Sequence, residues 1–170
     1  LILLLSFIKP YAFAQSSTVE KIDSIKTSLN TQIGKEKVQS LNELAWYYKN
    51  IDIDTALYFS FLAYSQAQKS PDKATIASSF SSLGNTYDAL ENLDSAEYYN
   101  KEVINIKTTL KDSLGLGSAY NNLGIVYDKM EKFDASLQQY FIALMFYEKH
   151  SEDLFDVAMV LGNIGIVYKK

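Results

Sequence analysis

The stretch Tyr120 to Leu144, YNNLGIVYDKMEKFDASLQQYFIAL, decides the fold, because it reads as two amphipathic helices joined by a tight turn. In its first half Tyr120, Leu123 and Tyr127 recur at i, i+3 and i+7. In its second half Leu137, Tyr140 and Leu144 do the same, so each helix has one apolar stripe. The two stripes must face each other, which makes an antiparallel hairpin. Small residues stand where the helix axes would come closest: Gly124 on the first helix, Ser136 and Ala143 on the second.

The pattern repeats along the chain. Leu41, Leu44, Ala45 and Tyr48 precede Ala56 and Ala63; Phe80, Leu83, Gly84 and Tyr87 precede Ala96; and Leu161, Ile164, Gly165 and Tyr168 close the sequence. Between 96 and 110 the match weakens, since Asn100 and Val103 stand where an aromatic and an Ala are expected. The equivalent small residues at 45, 84, 124 and 165 are spaced by 39, 40 and 41. Repeats of 36–69, 70–111 and 112–150 are expected, with an incomplete fourth over 151–170 that starts near Glu152.

Aromatic-x-x-Leu-Gly-x-x-Tyr followed by a small residue and then aromatic-x-x-Ala resembles the tetratricopeptide repeat (TPR) family, whose usual unit is about 34 residues. Tyr120, Leu123, Gly124, Tyr127, Phe133, Tyr140 and Ala143 carry the resemblance most fully. The longer unit is similar to the lengthened repeats of kinesin light chains and of many exported bacterial TPR proteins. The resemblance implies an all-α chain, a right-handed α-solenoid of antiparallel helix hairpins that binds proteins or peptides and performs no catalysis. By the family's geometry the concave face is lined by Asn42 and Trp46, then Ser78, Ser81 and Asn85, then Ser118, Asn121 and Ile125. Asn122 and Asn163 fall at a further position that some members use to hold a peptide backbone. This implied channel is neutral and rich in hydroxyls and amides, unlike the lysine and arginine clamp of chaperone-binding TPRs.

Composition restricts the alternatives. With 48% hydrophobic residues the chain can build a core, and 7 Gly with 2 Pro suit an almost wholly helical protein. A formal charge of −4 with no arginine lacks the footprint of a nucleic-acid binder. The absence of cysteine excludes a disulfide framework and thiolate chemistry. The opening LILLLSFIKPYAFA reads as the back end of a signal peptide with cleavage after Ala14, which predicts export and a periplasmic or extracytoplasmic address. Residues 15–35 then form an N-terminal capping helix and loop, begun by Ser17 and Glu20 in a capping box, with Val19, Ile22, Ile25 and Leu29 on its packed face.

The remaining motifs point to structure. Asn50, Asp52 and Asp54 begin like a calcium loop, but Thr55 and Phe61 stand where its Gly and bidentate Glu belong, so Asp54 is expected to cap a helix. Ser70-Pro71-Asp72 is read as a helix restart with Ser70 as N-cap. Gly115-Leu116-Gly117 follows no strand and is read as a turn and a close approach between repeats, not a dinucleotide loop. The single His150 suits a solvated helix C-terminus. Most of the 13 Tyr and 9 Phe fall on the core periodicity, and Trp46 is the exception.

No cofactor or metal is expected. The resemblance suggests the sensory or interaction region of a larger signalling protein, with a histidine kinase-like, cyclase-like or DNA-binding output and any membrane span lying beyond Lys170. A free periplasmic adaptor and a glycan-binding module using Trp46 are the alternatives.

Overall fold

The computed structural model describes residues 18–151 and 153–170. The signal-peptide region 1–14, its cleavage after Ala14, the Ser17 end of the capping box and Glu152 lie outside the described residues. Eight helices make up the described chain: α1 (18–28), α2 (Gly34–Tyr48), α3 (Ile53–Ala67), α4 (Lys73–Ala89), α5 (Leu93–Leu110), α6 (Ser113–Lys129), α7 (Phe133–His150) and α8 (Leu154–Val167). They pack as sequential antiparallel pairs, α2 with α3, α4 with α5 and α6 with α7, followed by α8. The first helices also touch each other, α2 with α4, α4 with α6 and α6 with α8, whereas the backbones of α3, α5 and α7 stay apart. A stack tight on one side and splayed on the other is curved, with the first helices on its inner face.

The hairpin at 120–144 shows why the spacing works. A Cβ added at Gly124 would lie 2.6 Å from two ring carbons of Tyr140, so only hydrogen fits there. Ser136 is more than a small residue, because its buried hydroxyl donates to the Gly124 carbonyl at 2.8 Å and ties the two helices at their closest point. Tyr140 is 2% exposed, and burial pushes its phenol up to about 12, with the Ser136 hydrogen bond acting the other way. At the equivalent point of the preceding hairpin Asn100 fills the same place, its amide 3.2 Å from where a Gly84 Cβ would be and donating to the Ala96 carbonyl. Asn100 is therefore a buried contact that turns its polarity back onto its own helix. In the first hairpin the buried Ser60 holds the corresponding position of α3, and its hydroxyl bonds Thr86 and Ser82 of the next repeat.

The turns close on backbone conformations that their residue types do not announce. α4, α5 and α6 each end with a residue in the left-handed region, Glu91, Lys111 and Glu131, at φ 58°, 55° and 59°. Asn92 N–H reaches the Tyr87 carbonyl and Lys132 N–H the Tyr127 carbonyl, the Schellman arrangement that closes a helix. No such residue follows α2, where Asp52 N–H bonds Tyr48 instead, and the turn is one residue shorter. The caps also shift. Asp52, not Asp54, caps α3 by accepting from Asp54 and Thr55 N–H, and Asp72, not Ser70, caps α4 by accepting from Ala74 N–H. Ser70 instead accepts from the Asp72 N–H, one step upstream of the cap. Gly115 and Gly117 lie inside α6, so they form no turn; Gly117 lies under the Tyr147 ring of its own hairpin partner.

α1 lies on the first hairpin. Ile22 is buried, Leu29 packs beside Val38, Leu41, Ala63 and Ala67, and Lys26 donates to the Tyr48 hydroxyl. Val19, expected on that face, is 55% exposed. At the other end Val160, Ile164 and Val167 of α8 join Tyr140, Ala143 and Tyr147 in one cluster, while Gly165 and Tyr168 are exposed. Tyr168 therefore lacks the ring partner that Tyr87 finds in Tyr99. Polar links join the hairpins at their rims: Lys129 with Asp88 at 2.7 Å, Lys170 with Asp128 at 2.8 Å, and Tyr127 to Glu97 at 3.0 Å. Burial raises the Glu97 carboxyl, but bonds from Lys101 and Tyr127 outweigh it and hold it below its usual value.

Two consequences can be measured. Gly124→Ala should lose about 1–3 kcal/mol through overpacking, whereas Gly165→Ala, whose Cβ meets nothing within 4 Å, should gain roughly 0.5–1 kcal/mol; equal shifts in urea unfolding would contradict the close approach. The capping carboxyls of Asp52 and Asp72 sit below 3.8, chiefly through the hydroxyls of Thr55 and Thr75, and that of Asp112 chiefly through Lys107. A depressed folded-state value means stability present above the unfolded value and lost as pH falls through the folded one. Tm should therefore fall as pH drops below 3.8, and Asp72→Asn, which still caps but does not titrate, should flatten that fall with little change at pH 7.

Candidate functional site

The inner face carries a groove of about 380 Å³ built by α2, α4 and α6, with Val103 and Lys107 of α5 at one side. Its lining follows helical periodicity: Asn42 and Trp46 on α2 with Lys49 at its C-cap; Ser78, Ser81, Ser82 and Asn85 on α4; Gly115, Ser118, Ala119 and Asn122 on α6. Each set recurs at i, i+3 or i+4, and i+7, so three successive helices turn the same stripe inward. The stripe is polar because the opposite stripes, with Leu44, Leu83 and Leu123, are spent on the core.

Hydrogen bonds between neighbouring repeats organise the floor. Asn42 Nδ2 donates to Ser78 Oγ at 3.3 Å, and Asn122 Nδ2 to Asn85 Oδ1 at 3.4 Å. Ser78 and Ser81 in turn donate to the carbonyls of Thr75 and Ala77, which fixes their hydroxyls. Trp46 is 59% exposed at the groove edge, and the Lys49 ammonium stands 3.8 Å from its ring centroid. Lys107 pairs with Asp112 at 2.5 Å.

Of the residues expected on the concave face, Asn42, Trp46, Ser78, Ser81, Asn85, Ser118 and Asn122 line this groove. Three do not. Asn121 is buried at 3% exposure and accepts from Asn163 Nδ2 at 2.9 Å, so these two asparagines join α6 to α8. One residue along a helix is a rotation of about 100°, which sends Asn122 to the groove and Asn121 into the next repeat. Ile125 is half-buried and packs on the cluster of Tyr140, Val160 and Ile164. The groove is also not neutral, since Lys49 and Lys107 line it. Lys49 was legible in principle, lying three residues after Trp46 and seven after Asn42. Lys107 was not, because it reaches in from a second helix.

Among the described residues no group of three His, Cys, Asp or Glu could hold a metal, and no helix is long and apolar enough to cross a membrane. His150 is exposed at the end of α7.

The groove, the paired helices and the repeating close contacts define a helical-repeat scaffold. Residues 76–112 match the tetratricopeptide repeat family, so the chain carries a TPR unit there, and its all-α fold is TPR-like. No curated protein matches the chain. Among solved structures it is similar to BtubC (BKLC) from P. vanneervenii, at 20% identity and TM-score 0.72, over 91% of this chain and 64% of that one. It is also similar to the apo form of RapI, at 13% identity and TM-score 0.73, over 94% of this chain and 45% of that one. The chain thus spans less than two thirds of the length of either, and at these identities the likeness is one of fold.

The reassignment of Asn121 has a direct test. Asn121→Ala should lower stability by about 1–3 kcal/mol, because Asn163 loses a partly buried partner, whereas Asn122→Ala should cost under about 1 kcal/mol at its long, half-exposed contact. Chemical denaturation that ranked the two the other way would return Asn121 to the surface.

Proposed function

We propose that this chain is a non-enzymatic scaffold that holds an extended peptide segment of a partner protein in the groove formed by α2, α4 and α6. The observation that carries the reading is the groove itself: a curved inner face of about 380 Å³ lined by amides and hydroxyls, with one exposed tryptophan at its edge. A peptide in extended form brings unpaired N–H and C=O groups along its length, and side-chain amides supply both a donor and an acceptor to meet them. Trp46 adds a large, rigid apolar contact of the kind that dominates binding energy at interfaces. A glycan reading would use Trp46 as a stacking platform, but the Lys49 ammonium already occupies one face of that ring.

We further propose that the scaffold works outside the cytoplasm, as the sensory or interaction region of a larger signalling protein. The support is the apolar run that ends in Ala12-Phe13-Ala14, together with repeats of 39 to 41 residues like those of exported bacterial TPR proteins. Ligand binding in such a scaffold would act by favouring one curvature of the helix stack, which requires different affinity for two curvatures.

The test is binding of the full chain to an array of short, end-capped random peptides. Asn85→Ala should weaken retention roughly fivefold, the worth of about one hydrogen bond, and Ser81→Arg should abolish it by filling the groove. Tyr98→Ser, on the exposed face of α5, should leave it unchanged. Loss with Tyr98→Ser and retention with both groove variants would move the binding surface to the outer face.

A further inference from the structure

The outer faces of α3 and α5 repeat one arrangement. The exposed positions of α3 are 54, 58, 61 and 65, and those of α5 include 94, 98, 101 and 105, the same stripe in the next repeat. Each stripe begins with an acid in the first turn and a tyrosine one turn later, Asp54 with Tyr58 and Asp94 with Tyr98. Residues at i and i+4 are neighbours on a helix surface, about 5–6 Å apart at Cβ. In α7 the acid recurs as Asp134, but Gln138 stands where the tyrosine would be.

Both tyrosines are exposed, Tyr58 at 60% and Tyr98 at 57%. Each is held edge-on by the next residue of its own helix, Tyr58 by Phe59 with ring centroids 5.4 Å apart and Tyr98 by Tyr99 at 5.2 Å. An edge-on contact takes up at most one face of the exposed ring. The strip between the two helices is aromatic as well, since Phe61 meets Tyr87 of α4 and Tyr87 stacks on Tyr99. Rings therefore run from α3 to α5 across the gap between two repeats. Exposed rings gathered in one patch, rather than scattered singly, mark an interaction surface.

The acids decide what that surface accepts. Asp54 and Asp94 suit the positive end of their helix dipoles, but among the described residues neither comes within 4 Å of a lysine ammonium. No lysine among them stands over the Tyr58 or Tyr98 ring either. A free ring face beside an unpaired carboxylate is a seat for a flat cation: the ring attracts the charge and the carboxylate accepts its N–H groups. Arginine meets both demands with one guanidinium, which stacks on aromatic faces and forks onto a carboxylate. The chain has no arginine with which to fill these seats, and a second copy would bring the same −4 charge. The same acids repel a phosphate-bearing surface.

We propose that the outer face of α3 and α5 docks an arginine-containing segment of another protein, with one guanidinium against Tyr58 and Asp54 and a second against Tyr98 and Asp94. This surface is separate from the groove of α2, α4 and α6 and stands or falls independently of it. The backbones of α3 and α5 stay apart, so the two seats are separated by more than the ~8–10 Å between packed helices. Arginines four positions apart in an extended chain point the same way and lie about 13 Å apart, which matches two seats in adjacent repeats.

The probe is a fluorescein-labelled, amidated nine-residue peptide of Gly and Ser with arginine at its third and seventh positions. It is titrated with the full chain and read by fluorescence polarisation. The arginine peptide should bind at least about tenfold more tightly than the same peptide carrying neutral citrulline, and about threefold more tightly than one carrying lysine. Tyr58→Ser and Tyr98→Ser, which leave the protein's charge unchanged, should each weaken binding about two- to fivefold. Asp94→Asn should weaken it at least as much, whereas Asp134→Asn, the same charge change with no ring beside it, should alter it less than about twofold. All of these positions are exposed, and an unchanged Tm confirms that each variant is folded. Equal binding of the arginine and lysine peptides, with equal losses in Asp94→Asn and Asp134→Asn, would overturn the seats in favour of the chain's general negative charge. No binding of the arginine peptide would overturn them outright and leave the groove reading untouched. Ser81→Arg, which fills the groove, should leave this binding intact; its loss there, with Tyr58→Ser and Tyr98→Ser still binding, would move the arginine site to the groove and overturn the outer one.

Discussion

The structure depends on how closely two helices of a hairpin can approach. At Gly124 and Tyr140 the separation is set by a ring lying on a backbone, with the Ser136 hydroxyl bonded to the carbonyl of the same glycine. The preceding hairpin meets the same constraint with Asn100 on Gly84, and in the first the corresponding position of α3 holds the buried Ser60. The volume at this point falls from Tyr through Asn to Ser toward the N-terminal end, and polarity changes with it. Where the ring is absent the side chain must find hydrogen bonds, and it finds them in its own helix at Asn100 and in the next repeat at Ser60. The contact that closes one hairpin thereby becomes a contact between hairpins.

Function follows from the same geometry. Each first helix gives one stripe to its hairpin partner and another to its neighbouring first helices, which leaves a single stripe facing the inner surface. Because α2, α4 and α6 are set in register by their glycine or alanine contacts, their leftover stripes align into one groove rather than three separate patches. The amides of Asn42, Asn85 and Asn122 are brought within bonding distance of a neighbouring repeat by that alignment. The cation of Lys49 is brought beside Trp46 by the local helix, and Asp88, the acid whose field reaches it, pairs with Lys129 of the next repeat.

Several features could not be read from the residues. Glu91, Lys111 and Glu131 adopt a left-handed backbone that glycine or asparagine would have advertised, and a Schellman hydrogen-bond pair stabilises it without either. The caps moved from Asp54 to Asp52 and from Ser70 to Asp72 because several capping residues lie within one turn of each other, and only the exact end of the helix chooses between them. Two glycines that looked like a turn became part of α6, since the neighbouring Asp112 caps the helix ahead of them and Tyr147 covers the second.

By itself the sequence determined the hairpins, their register and the all-α class, because helical periodicity and the need for small residues at close contacts are local and repeat three times in the chain. The family resemblance set Asn42, Trp46, Ser81, Asn85 and Asn122 on the inner face, and these residues line the groove. Only the tertiary structure decided which of two adjacent asparagines faces outward, that Asn121 is spent on Asn163, and that Lys49 and an Asp112-paired Lys107 stand in the groove wall. Those outcomes depend on the rotation of one helix against its neighbours and on charges meeting across some forty residues of sequence. No window of local pattern contains that information.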